Sequence, residues 1–231
     1  MAEYTPKTIY DLIKEIDEGR VVLPAMQRNF VWSEEKICSL FESIMRDYPI
    51  GTFLFWLIDK EIFKKYVFNE FIRDYDEELG KMQRGKRATA IFSDYTAVLD
   101  GQQRITSLYM GVKGKYRTHI KGKAWDKPES YVDRYLCVDV LFVPGDDDEY
   151  KFAFLPNEKI NHFEKDIDGN NEYWIKVSQV FEEDDVADMA DIVDEIPENN
   201  SIIPLNLRKE ARKTLTTLYK GLRIVQNVNF Y

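Results

Sequence analysis

Apolar residues recur along this chain with two periods, and the switch between them marks out its elements. Ile9, Leu12, Ile13 and Ile16 are spaced three and four apart, one face of a helix. Thr8-Ile-Tyr-Asp11 in front of them has the form of a capping box, and Gly19 closes the segment. Val21-Val22-Leu23-Pro24 reads as a short extended piece. Ser33 is placed as the N-cap of a second helix, with Glu34 and Glu35 in the first turn and Trp32 and Ile37 as a hydrophobic staple. Ile37, Leu40, Phe41 and Ile44 carry that helix towards Tyr48-Pro49.

Residues 50–58 are nearly all apolar and predict a strand buried on both faces, with Phe53-Leu-Phe55-Trp56 as core. Phe68, Phe71, Ile72 and Tyr75 predict a helix over 66–79. Ala97-Val98-Leu99 ends a strand, and Ile105, Leu108 and Val112 begin a new helical face. Residues 135–143 and 150–155 predict a hairpin around Gly145-Asp-Asp-Asp148. Residues 205–220 predict a helix and 222–231 a final strand. The fold expected is α+β: a small mixed sheet flanked by helices, divided into a core of residues 1–114 and a β-rich extension, 115–231, with a C-terminal helix.

Composition narrows the class. With 231 residues and 44% hydrophobic content, the chain can bury a sizeable core. A net charge of −9 argues against a surface coated for DNA, but not against a local basic groove. Cys38 and Cys137 sit in apolar runs and read as buried free thiols. The polar N-terminus is unlike a secretory leader, and the longest apolar stretch is too short to span a bilayer, so a cytoplasmic protein without membrane contact is expected. Residues 182–198 hold nine acidic residues, which reads as a solvated amphipathic helix or an irregular insert.

The chemistry concentrates at Asp100-Gly101-Gln102-Gln103-Arg104, where the strand turns into the helix. A polar turn before a helix needs no function by itself. Two glutamines and an arginine on the first turn are harder to explain as packing. Unpaired N–H groups and the positive end of the dipole make that junction a phosphate site. Gly101 lets backbone approach, Arg104 offers a charged fork, Gln102 or Gln103 orients a water or base, and Asp100 holds Mg²⁺. Basic loops flank the pentad in sequence: Lys81, Arg84, Lys86 and Arg87 before it, and Lys113, Lys115, Arg117, Lys121, Lys123 and Lys127 after it. If they converged beside the pentad they would form a cationic rim for DNA, with Trp125 or Tyr116 stacking on an exposed base. His119 and His162 lack metal-ligand spacing and read as exposed loop residues.

The pentad resembles the signature of the DGQQR domain, a ParB/sulfiredoxin-like domain at the N-terminus of GmrSD-type, modification-dependent restriction endonucleases. Two further blocks support the resemblance in the family order: Pro24-Ala-Met-Gln27-Arg28-Asn-Phe-Val-Trp32 and Tyr48-Pro49-Ile50-Gly51. It implies a nucleotide-binding, NTP-hydrolysing domain that senses modified DNA or nucleotide state and controls a nuclease. Carried over, Asp100, Gln102, Gln103 and Arg104 would be catalytic. Gly101, Arg104, Gln27 and Arg28 would bind the nucleoside triphosphate, and Asp100 its Mg²⁺. Arg84, Lys86, Arg87, Lys121 and Lys123 are the candidates for DNA. Longer members continue into a His-Asn-His nuclease domain that this sequence lacks, so the nuclease is expected in a partner domain or subunit. The competing reading is a non-catalytic DNA- or partner-binding module on the same scaffold. A direct ParB-like nuclease ranks last, because no acid cluster for two-metal cleavage is visible.

Overall fold

Thr8 caps the first helix as its pattern predicts, its side chain accepting from the Asp11 N–H at 3.0 Å while the Asp11 carboxylate reaches back to the Thr8 N–H. The computed structural model describes residues 6–145, 149–194, 203–225 and 228–230. In chain order the elements are β1 (Pro6–Lys7), α1 (Ile9–Asp17), β2 (Val21–Pro24), α2 (Glu34–Met45), β3 (Thr52–Asp59), α3 (Lys60–Lys65), β4 (Phe68–Asn69), β5 (Tyr75–Asp76), β6 (Asp94–Asp100), α4 (Gln102–Lys113), β7 (Tyr116–His119), β8 (Tyr131–Asp139), β9 (Phe152–Leu155), β10 (Phe163–Lys165), β11 (Asn171–Lys176), α5 (Val177–Glu182), α6 (Asp188–Asp194), α7 (Arg208–Arg223) and β12 (Val228–Phe230).

The class is α+β, built on two mixed sheets rather than one small one. The first runs β1-β12-β3-β6-β2-β4; the second runs β10-β11-β8-β7-β5, with β9 also on β8. Their shared core joins α1, α2, α4 and α7 to both sheets through Ile13, Phe41, Leu108, Leu136 and Leu218. Residues on both sides of position 114 thus lie in one core, and β12 completes the first sheet between β1 and β3. α4 is buried over most of its circumference from Ile105 to Val112, and Gly111 lets it approach Phe41 and Leu136 closely. A helix so enclosed fixes its own N-terminus.

Several expectations change. Residues 66–79 do not form a helix, because Phe68 and Phe71 enter different apolar clusters instead of sharing a face. Phe68 and Asn69 instead pair as an edge strand with Pro24 and Leu23, and Asp76 caps a 3-10 turn over Glu77–Met82. β3 is not buried on both faces. Phe53 and Ile58 point inward, but Leu54, Trp56 and Leu57 are exposed, since α3 covers only the Phe63–Ile58 end of that face. The basic stretch after α4 contains a strand, β7, and His119 lies on it, stacked on Trp125 at 3.8 Å. β8 ends at Asp139, earlier than expected, because the Asp139 carboxylate accepts from the N–H groups of Leu141 and Tyr173 and turns the chain. Asp146–Asp148 of the hairpin turn lie outside the described residues.

α7 runs to Arg223, so β12 is shorter than the strand expected; Tyr231 lies outside the described residues. The acidic stretch is absorbed into the fold as far as Asp194. Met189 and Val193 are buried. Glu182 pairs with Lys113, Asp184 with Arg223, and Asp194 with Arg208 and Arg212. Residues 195–198 lie outside the described residues. Among the described residues no helix is long and apolar enough to cross a membrane.

Candidate functional site

The pentad sits at the strand-to-helix junction. β6 ends at Asp100, Gly101 turns the chain at φ 88°, and α4 begins at Gln102. Glycine is required twice over: the left-handed backbone disfavours other residues, and a Cβ would lie 2.5 Å from Phe53 Cδ1. No side chain caps α4, and the N–H groups of Gln102, Gln103 and Arg104 have no acceptor among the described residues.

Hydrogen bonds from side chain to backbone bring the three sequence blocks together. Gln27 Nε2 donates to the carbonyls of Val98, at 2.6 Å, and Leu99, at 3.1 Å, fastening the first block to the end of β6. Gln102 Nε2 donates to the Arg28 carbonyl at 3.0 Å. The buried Gln103 donates to the Asn29 carbonyl at 3.0 Å and accepts from the Val31 N–H at 2.9 Å. Arg104 turns the other way. Its Nη1 and Nη2 donate to the carbonyls of Ile50, at 2.6 Å, and Thr52, at 2.7 Å, and its guanidinium lies over the Phe53 ring at 4.6 Å. The Tyr48-Pro49-Ile50-Gly51 turn is therefore the seat of Arg104.

The fork expected to face an anion is thus spent on two carbonyls, and both glutamines are spent on the 28–31 segment. Asp100 remains exposed, its carboxylate 3.6 Å from Arg104 Nη2. Arg28 is also exposed and has no partner among the described residues. Periodicity carries no warning of these clamps. What carries one is the pairing of amide side chains with a loop bearing no element of its own.

Gln27, Arg28, Asn29, Gln102 and Gln103 line one cleft with Arg84, whose Nε donates to Asn29 Oδ1 at 2.6 Å. Gln27 Oε1 is buried there without a partner among the described residues. The free space inside is about 30 Å³, room for one water and far below the several hundred Å³ of a small-molecule pocket.

The two basic loops part company. From the first, Arg84 reaches the cleft, Lys86 and Arg87 are exposed and make no ion pair among the described residues, and Lys81 falls outside the described side chains. The second starts at the far end of α4, about 17 Å from Gly101 at the usual helical rise. Lys113 pairs with Glu182, Lys115 with Asp133, and Arg117 with Asp76 and Glu78. Lys121 and Lys123 are exposed on that distant loop. The rim around the pentad therefore draws on the first loop alone.

No group of three or more His, Cys, Asp or Glu residues is placed to hold a metal among the described residues. Asp100 is a single exposed carboxylate at the junction, which suits Mg²⁺ only as one ligand beside phosphate oxygens. Cys38 and Cys137 are free, and burial pushes both thiols up to about 12.

Comparison with known proteins relates the chain to a family and to a longer relative. A family model described as "GmrSD restriction endonuclease, N-terminal domain" matches residues 9–229. An uncharacterized protein of Methanocaldococcus jannaschii is 34% identical over 125 residues, 54% of this chain and 20% of that relative. The chain thus matches one fifth of the length of that relative.

Proposed function

The chain belongs to the family of GmrSD restriction endonuclease N-terminal domains, and hence to a restriction system; from that premise we propose that it is a nucleotide-binding, NTP-hydrolysing sensor. In this reading it is a cytoplasmic domain that responds to modified DNA and governs a nuclease carried by another domain or subunit. One observation carries it. Among the described residues, three first-turn N–H groups of α4 stand without acceptors beside the exposed Asp100 and the exposed Arg28, whose side chain makes no ion pair.

The phosphates lie on the N-terminus of α4, at the mouth of the cleft, because the cleft is too narrow to take them in. Arg28 neutralises their charge. Asp100 helps to hold Mg²⁺, which supplies neutralisation of the phosphate oxygens when bound. Gln102, Gln103 and Arg104 act as positioning residues: they hold the 28–31 segment and the start of β3 at the distances that form the site. Gln27 ties the same segment to β6.

Titration of the full chain with ATP and GTP, with and without Mg²⁺, tests this reading, with release of inorganic phosphate as the second readout. Binding that weakens in Arg28→Ala and loses its Mg²⁺ dependence in Asp100→Asn supports it. No binding by the wild type at millimolar nucleotide overturns it.

A second reading, a DNA-binding module without catalysis, is favoured by Arg84, Lys86 and Arg87 beside the same cleft. It predicts DNA affinity that falls steeply with salt and does not respond to nucleotide.

A further inference from the structure

A second concavity lies on the second sheet, away from the cleft. α2 packs over β9, with Phe41 and Phe152 5.9 Å apart, but it begins only at Glu34. The face formed by β5, β7 and β8 beyond that point is left open among the described residues, and it forms a groove of about 480 Å³. That volume falls within the range of small-ligand sites, roughly 300–1,000 Å³.

The strand register sets its floor. Tyr75 pairs with Tyr116, and Tyr116 with Arg134, one row across three strands; Thr118 and Val132 form the next row. The Tyr75 and Tyr116 rings stack at 4.3 Å and 24°. The stacked Tyr75–Tyr116 pair thus forms the aromatic side of the groove, and His119 marks its end at the close of β7, its ring turned to the opposite face of the sheet against Trp125 and Tyr131.

Polar groups line the groove beside that pair. Glu77 accepts from the His119 N–H at 2.7 Å, and Glu34 pairs with Arg134. Arg134 Nε, a buried polar atom that lacks a partner among the described residues, belongs to the floor of this groove. Two carboxylates against one guanidinium make the floor unfavourable for phosphate. Past Ile120, however, the chain turns through the exposed Lys121 and Lys123. An acidic, aromatic floor with a basic lip suits a planar heterocycle with an amino and carbonyl edge whose attached phosphates stay outside.

We propose that this groove takes a single nucleobase turned out of a nucleic-acid strand. The Tyr75–Tyr116 pair stacks on the base, Glu77 and the Glu34–Arg134 pair read its hydrogen-bonding edge, and Lys121 and Lys123 contact the flanking phosphates. The proposal deepens the DNA-sensing part of the reading above, and it gives the second basic loop a task that the pentad does not.

The test measures affinity of the full chain for a short fully paired duplex, the same duplex with one mispaired base, and the same duplex with that base removed, together with free nucleosides. The mispaired base, which is cheaper to turn out, should bind about tenfold more tightly than the paired one, and removing the base should abolish that gain. Thr118→Tyr, which fills the floor, should lose the gain while keeping salt-dependent background binding, and thermal unfolding checks that the variant is folded. Glu77→Gln should reduce the gain without filling the groove. Equal affinity for mispaired and abasic duplexes, or a gain that survives Thr118→Tyr, overturns the proposal and leaves DNA contact standing. A nucleoside that perturbs the Tyr75 and Tyr116 ring resonances while no duplex binds upholds the groove and overturns the DNA reading. Absence of both kinds of binding overturns both.

Discussion

Arg104 occupies the space that a side chain at Gly51 would fill. Gly51 adopts φ +86°, and a Cβ there would fall inside the guanidinium that donates to the carbonyls on either side, Ile50 and Thr52. Gly51→Ala should therefore cost more than its backbone strain. The left-handed conformation accounts for about 1–2 kcal/mol, and displacing Arg104 adds its charge-assisted hydrogen bonds, for a total of about 3 kcal/mol or more. In an Arg104→Ala background the same glycine substitution should cost only the backbone share. Urea unfolding of the four proteins gives the coupling, and strict additivity would show that the two residues do not share this seat.

Gln103 should act on stability through one loop. Gln103→Met keeps the volume but loses both bonds to the 28–31 segment, at a cost of about 2 kcal/mol. The Val31 amide should exchange at least tenfold faster, while the buried interior of α4, such as Leu108, keeps its protection. Equal loss at both positions would mean that the clamp is global rather than local.

Arg28 and Arg104 should separate binding from folding. Arg28 is exposed and unpartnered among the described residues, so Arg28→Ala should leave stability within about 0.5 kcal/mol. It should weaken nucleotide binding about tenfold, the loss of one charge-assisted contact. Arg104→Lys should reduce both, because an ammonium cannot span two carbonyls and lie on Phe53 together. Calorimetry and thermal unfolding on both variants check the pattern. Unchanged affinity in Arg28→Ala removes that residue from the site.

Asp139 should give the native state a pH dependence of unusual sign for a carboxylate. Burial raises its carboxyl to about 6, against the lowering effect of the Tyr173 and Leu141 N–H groups. The folded state then holds its proton to higher pH than the unfolded chain, whose carboxyl titrates near 3.9. The contribution to stability is complete below about pH 4 and is lost as pH rises through about 6, some 3 kcal/mol in all. Asp139→Asn should remove that slope. Unfolding free energies of both proteins at pH 4, 5, 6 and 7 check it, and parallel curves would show that Asp139 is solvated.

Both thiols should be inert in the native protein. With their pKa values near 12, Cys38 and Cys137 have almost no thiolate at pH 8. Iodoacetamide should label neither until urea unfolds the chain, and fast labelling of Cys38 in native conditions would show that α2 opens locally.

The parts of the fold written in one periodic face were legible in the sequence. α1, with its capping box, and the β6–Gly101–α4 junction lie where the spacing predicts, and the three family blocks meet. What escaped was set by tertiary partners. Residues 66–79 have helical spacing, but their aromatic side chains serve two clusters, so the chain spreads into edge strands. β3 is apolar over Phe53–Ile58, yet each of its faces is covered only in part. The polar character of Gln102, Gln103 and Arg104 marked the junction where the three blocks meet. Their targets are backbone carbonyls seventy or fifty residues earlier, which no local pattern announces.

The position of β12 has a consequence for how the chain acquires this structure. Asn229 and Phe230 pair in parallel with Thr52 and Phe53, and β1 pairs in turn with β12. During synthesis, β3 therefore waits with an unpaired edge until residues 228–230 have left the ribosome, and β1 waits with it. Closing that sheet joins segments far apart along the chain, a long loop to close and a slow kind of contact to form. Until it forms, the Thr52 carbonyl that Arg104 grips belongs to an open edge, prone to pair with another nascent chain.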